Sequence, residues 1–68
     1  MEYVEAIQKA CVGMKVISWR QIMEYVEAEC KVRKNGWMAV RGALQQLIDN
    51  GLLVRTEDVR VEEYEVHD

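Results

Sequence analysis

Apolar side chains recur every three or four residues in three stretches of the chain, a spacing typical of amphipathic helices. The first stretch covers residues 2–12, where Val4, Ile7 and Cys11 share one face. Gly13 follows it and is expected to end the helix, since glycine readily adopts the left-handed conformation found there. The sequence therefore predicts a short N-terminal helix with one buried face.

The second helix is expected to begin at Ser18. Ser18 and Gln21 have the spacing of a capping box, in which each side chain bonds the backbone N–H of the other residue. We expect this helix to stop near Cys30 or Lys31. Its predicted apolar face consists of Trp19, Ile22, Met23, Val26 and Cys30.

The third helix is predicted over residues 35–50. Asn35 is a candidate N-cap, and Gly51 stands where a left-handed C-terminal residue is favoured. The face expected to be buried consists of Val40, Ala43, Leu44, Leu47 and Ile48. The opposite face carries Met38, Arg41, Gly42, Gln45 and Asp49.

Three short segments are predicted to be extended: residues 15–17, 52–56 and 64–66. Between the last two, Val59 and Val61 alternate out of phase with Tyr64 and Val66. Because side chains in a strand alternate between two faces, this change of phase predicts a bulge or a longer loop, of which we expect the loop.

Residues 40–53, VRGALQQLIDNGLL, resemble the V-R-x-A-L-x-x-L-x-x-x-G-L-[LIV] pattern of winged helix-turn-helix DNA-binding domains. The resemblance implies an α+β fold over residues 1–68, with three helices and a small antiparallel β-hairpin, the wing. It also implies that the third helix is the recognition helix, and that a short strand before the second helix pairs with the wing. The turn before the third helix carries its glycine late, at Gly36, which leaves the start of that helix open.

Charge is unevenly distributed along the chain, although the net charge is only −3. Residues 31–41 carry four basic side chains and no acidic ones, whereas residues 42–68 carry two basic and seven acidic ones. DNA binding requires a local basic patch and not a basic protein, so the distribution permits it. The bland interpretation is a solvated basic loop.

Several functional classes find no support in the sequence. Serine, threonine and histidine occur once each, and no cysteine has an expected base nearby, so we predict no enzymatic activity and no cofactor. Cys11 and Cys30 are expected to be buried reduced thiols, with a disulfide as a secondary interpretation and no zinc site. No segment resembles a signal peptide or is long enough to span a bilayer, which predicts a cytoplasmic protein, or a nuclear one in a eukaryote.

The resemblance assigns DNA contacts by position. Arg41 would pair with guanine and Gln45 with adenine, while Arg60 would project from the wing. Three of the predicted contact residues have an alternative role. Arg41 could pair with Asp49 or a wing carboxylate, Trp37 could belong to the core, and Gln45 could be an ordinary surface residue. The predicted DNA-binding residues are Lys31, Arg33, Lys34, Asn35, Trp37, Met38, Arg41, Gln45 and Arg60.

Two functions follow as hypotheses. The first is a sequence-specific binder of double-stranded DNA, expected to act as a homodimeric transcriptional regulator like those of phages or plasmids. The second is a protein-interaction module that binds a polymerase, a replication factor or a nuclease complex. The acidic wing and the outward-facing Met38 favour this second function.

Overall fold

The structure is a computed structural model that describes residues 2–67, which form three helices and a three-stranded antiparallel sheet. The helices are α1 (Tyr3–Ala10), α2 (Trp19–Glu29) and α3 (Trp37–Asp49). The strands are β1 (Val16–Ser18), β2 (Leu53–Arg55) and β3 (Glu63–Val66). The predicted α+β class is therefore confirmed, and residues 56–62 form the expected β2–β3 loop.

The sheet has the order β1-β3-β2, so β3 lies in the centre. Tyr64 pairs with Ile17 of β1 on one side and with Arg55 of β2 on the other. Because side chains alternate between the faces of a sheet, these three side chains share a face, and Tyr64 and Ile17 are buried there. The predicted pairing of the short first strand with the last strand is confirmed.

The helices pack their apolar faces against this sheet to form a single core. The predicted faces are largely correct, since Ile7, Ile22, Val26 and Leu47 are fully buried. The buried side chains are Ala6, Ile7, Cys11, Ile17, Ile22, Val26, Val40, Ala43, Leu44, Leu47, Leu53 and Tyr64. Burial raises the pKa of the Cys11 thiol, and among residues 2–67 the structure contains no disulfide.

Local signals fix most of the helix ends. Gly13 and Gly51 both have positive φ angles, as expected of residues that end helices. The predicted capping box is present: Ser18 N–H donates to Gln21 Oε1 over 2.9 Å, and Gln21 N–H donates to Ser18 Oγ over 3.1 Å.

We expect Ser18→Ala to lower the free energy of unfolding by about 1 kcal/mol, because the Gln21 N–H loses its acceptor. Ser18→Thr keeps a hydroxyl at this position and is the matched control. Urea unfolding followed by circular dichroism measures both changes. Equal stability of the alanine and threonine variants would show that the cap contributes nothing.

The prediction that Asn35 caps the third helix is wrong. Gly36 is the N-cap residue, α3 begins at Trp37, and among residues 2–67 no side chain caps this end. Gly36 N–H donates to Arg33 O over 2.7 Å, which closes a tight turn and holds Gly36 in a helical conformation. This turn takes the place of the extended N-cap that an asparagine cap requires.

Candidate nucleic-acid interface

An exposed basic cluster lies in the linker between α2 and α3, residues 30–36. Lys31, Arg33 and Lys34 are all exposed, whereas Val32 between them packs partly against the core. Within residues 2–67 none of the three basic side chains takes part in an ion pair. The anchored valine therefore holds three unneutralised cations at the surface.

These cations line an open groove of about 710 Å³ between α2 and α3. Met23 and Trp37 contribute its apolar surface, and Glu27 is the acidic residue on its wall. An aromatic ring beside several cations suits an anionic ligand that also offers apolar surface, as nucleic acids do.

Trp37 and Met38 occupy the first turn of α3 and are exposed, with 49% and 64% of their surfaces accessible. Trp37 therefore does not belong to the buried core, which was the alternative role predicted for it. Asn35 is exposed in the turn just before. The linker cations and the beginning of α3 thus form one continuous surface.

Arg41 does not extend freely from α3. Its Nη1 donates to Glu62 Oε2 over 2.6 Å and its Nη2 donates to Glu62 Oε1 over 2.8 Å. On its other side the guanidinium carbon lies 4.1 Å from the centre of the Trp19 ring, a cation–π contact. Of the two roles predicted for Arg41, pairing with a carboxylate of the β2–β3 loop is the one present in the structure.

Glu62 also fixes the surrounding elements. Its carboxylate accepts a hydrogen bond from Tyr64 Oη over 2.6 Å, and its backbone oxygen accepts one from Trp19 N–H over 2.9 Å. The hydrogen bond from Arg41 lowers the pKa of Glu62 most, and the hydrogen bond from Tyr64 lowers it further. The pKa is therefore about 2, although desolvation raises it. Desolvation and the Glu62 carboxylate raise the pKa of Tyr64. We call Trp19, Arg41, Glu62 and Tyr64 the Glu62 cluster.

Two other predicted contact residues are bonded within their own segments. Gln45 Nε2 donates to Asp49 Oδ1 over 2.8 Å, one helical turn further along α3. Arg60 donates through Nε and through its backbone N–H to Asp58 Oδ1. The Arg60 side chain, followed by its backbone N–H, lowers the pKa of Asp58. Both residues are exposed, but each already donates at least one side-chain hydrogen bond to a neighbouring carboxylate.

Sequence reasoning missed an exposed polar residue of α3. Gln46 faces solvent beside Gln45, and within the described part of the chain its side chain makes no hydrogen bond. It flanks the predicted apolar face, where helical spacing alone does not distinguish edge positions from exposed ones. Its amide remains available to a partner.

Comparisons with known protein families, with curated proteins and with solved structures returned no match. The similarity of residues 40–53 to winged helix-turn-helix domains therefore stays a prediction. Among residues 2–67 no helix has the length and apolar character that crossing a membrane requires.

Proposed function

We propose that this protein is a winged helix-turn-helix domain that binds double-stranded DNA. In this proposal α2 and α3 form the helix-turn-helix and the β2–β3 hairpin forms the wing. The linker cations Lys31, Arg33 and Lys34 contact phosphates, while the beginning of α3 enters the major groove. The observation that carries the proposal is the exposure, directly before α3, of these three cations, which form no ion pair within residues 2–67.

The charge distribution supports a contact with phosphates at the linker and α3 and not across the whole surface. No acidic residue occurs between positions 30 and 48, so the carboxylate that lines the groove of the linker cations is that of Glu27 in α2. The wing differs, because Arg60 is paired with Asp58 and further carboxylates surround it. The wing is therefore expected to point away from the phosphates, and binding depends on the linker and α3.

A regulator of transcription is the role that best suits such a module. Sixty-eight residues offer a small contact area, and specific DNA sites are usually bound by larger surfaces or by dimers. We therefore propose a homodimer whose two α3 helices contact half-sites about 34 Å apart.

The test compares Lys34→Glu with Lys15→Glu on a mixed-sequence duplex of about two helical turns. Each phosphate contact contributes about 0.9 to the slope of log K against log salt concentration, so losing one weakens binding about tenfold at 0.1 M salt. Lys15 is also exposed but lines a different groove, beside Val12 and Leu52. We expect Lys34→Glu to weaken binding at least tenfold and Lys15→Glu to change it little.

Two results would contradict the proposal: equal loss of affinity in the two variants, or no duplex binding by the unmodified protein at low salt. Arg41→Ala is a poor test of base contact, because Arg41 holds Glu62 and its loss would disturb the fold. Circular dichroism of each variant confirms that the comparison concerns folded protein.

A protein-interaction module is the second candidate function. It is favoured by Val59 and Val61, which are exposed at the tip of the acidic β2–β3 loop, Val59 with 86% of its surface accessible. Apolar side chains within an acidic loop suit a protein partner better than a phosphate backbone. Absence of duplex binding at low salt would leave this candidate in place.

A further inference from the structure

The polar side chains best placed on α3 to read base edges are already engaged. Arg41 donates two hydrogen bonds to Glu62, and Gln45 donates one to Asp49. Presenting Arg41 to a guanine would break a bidentate ion pair and a cation–π contact, leaving Glu62 partly buried without its partner. The common arginine–guanine contact is therefore costly for this helix.

What α3 offers freely near its beginning is apolar. Met38 has 64% of its surface exposed, Ala39 is exposed beside it, and Gly42 follows one turn after Met38. A Cβ atom placed on Gly42 would meet no neighbour within 4 Å, so nothing inside the described protein requires a glycine there. Because glycine in the middle of a helix is destabilising, its presence here suits a partner that approaches the helix backbone closely.

Charge determines the kind of partner that fits this apolar face. The unpaired cations Lys31 and Lys34 lie in the linker just before it, and α3 carries no carboxylate before Asp49. An occupant that presents phosphates at the edge of the contact and an apolar group at its centre fits this arrangement. In the major groove only thymine offers such a group, its C5 methyl.

We propose that α3 distinguishes base pairs mainly by apolar contact between Met38 and thymine methyl groups, with Gly42 allowing the helix to approach the floor of the groove. This inference rests on the proposed DNA-binding function and specifies its sequence preference. Gln46, whose amide is unbonded within the described residues, can pair with adenine, the partner of thymine. The expected targets are duplexes rich in A·T pairs.

Replacing thymine by deoxyuridine tests this preference, because it removes the methyl group and leaves base pairing intact. The two probes are an alternating A·T duplex of about 20 base pairs and the same duplex with every thymine replaced by uracil. We expect the unmodified protein to bind the thymine duplex at least about fourfold more tightly, since one buried methyl-sized group accounts for a factor of that order.

Variants assign the effect to Met38. Met38→Gln keeps a side chain of similar length but not the apolar surface, and we expect it to bind the two duplexes equally. Val12→Ala is the control, because Val12 is 80% exposed and lines the groove beside Leu52 and not the groove at the beginning of α3. The control should keep the full preference for thymine. For each protein, the affinity for the thymine duplex is divided by the affinity for the uracil duplex, and this ratio is compared between the variant and the unmodified protein. The comparison cancels any difference in stiffness between the two duplexes.

The possible failures are distinguishable. If the unmodified protein binds both duplexes equally while Lys34→Glu weakens both, the thymine inference is overturned and the DNA-binding function stands. A preference for thymine that survives Met38→Gln overturns the role of Met38. If neither duplex binds at low salt, the proposed function fails and the inference with it.

Discussion

Glu62→Gln lowers the free energy of unfolding by about 2 kcal/mol at pH 7, one of the two largest effects we expect from a single loop substitution in this protein. The amide keeps the shape of the carboxylate but loses its charge, so it cannot pair with Arg41 or accept the same hydrogen bonds. The lowered pKa of about 2 sets an upper bound near 3 kcal/mol. Solvent screening reduces this figure, because the Arg41 side chain is 41% exposed.

Urea unfolding of the two proteins measures this change. Glu57→Gln is the matched control, since Glu57 lies in the same loop, is exposed, and forms no ion pair within the described residues. We expect the control to change stability by less than about 0.5 kcal/mol. Equal effects of the two substitutions would show that the Glu62 cluster does not stabilise the fold.

The same carboxylate predicts a pH dependence. Because the pKa of Glu62 is about 2 in the folded protein and near 4.5 in the unfolded chain, its stabilisation is fully present above pH 4.5 and is lost as the pH falls towards 2. Glu62→Gln should therefore lose less stability than the unmodified protein over this range. Asp58, whose pKa is also lowered, is present in both proteins, so the free energy of unfolding of each still changes somewhat with pH. If the free energy of unfolding changed with pH in the same way in both proteins, Glu62 would not be the source of the pH dependence.

Gly36→Ala is expected to have the second largest effect, a loss of about 1–3 kcal/mol through overpacking. A Cβ atom on Gly36 would lie 2.6 Å from Val32 Cγ1 and 3.0 Å from the backbone N and O of Arg33. The side chain of Val32 can rotate, but the backbone of Arg33 cannot move without opening the turn that precedes α3. The substitution should therefore displace the basic linker as well as destabilise the protein.

Gly42→Ala is the control, because it makes the same chemical change on α3 with open space around the new methyl group. Helix propensity predicts a gain of up to about 1 kcal/mol for it. Thermal unfolding of the two variants should thus give shifts of opposite sign. A shift of the same sign and size in both would show that neither the crowding at Gly36 nor the open surface at Gly42 determines stability.

Much of the fold could be predicted because its signals are local. The Ser18–Gln21 capping box and the glycines that end α1 and α3 involve residues at most a few positions apart, and all are present. Apolar periodicity identified the buried faces for the same reason. Asn35 failed as a cap because the conformation of Gly36 is set by the backbone of Arg33 and not by the asparagine beside it.

The residues of the candidate site also differ in whether local signals could predict their surroundings. The exposure of Lys31, Lys34 and Met38 could be predicted from spacing and charge. The ion pair of Arg41 could not be assigned, because Glu62 is 21 residues away and reaches Arg41 only once the sheet has formed. A helical wheel places an arginine on the outer face but contains no information about which loop packs beside it.

The Glu62 cluster has a consequence for engineering. Thr56 N–H donates to Glu63 O over 3.0 Å and closes the base of the β2–β3 loop, while Glu62 fastens that end to α2 and α3. Arg55 Nη2 also donates to Val61 O over 3.3 Å, so the segment that lies outside these connections is residues 57–60. A peptide tag or a fluorescent label inserted between residues 57 and 60 would therefore leave intact the hydrogen bonds that hold the hairpin to the helices.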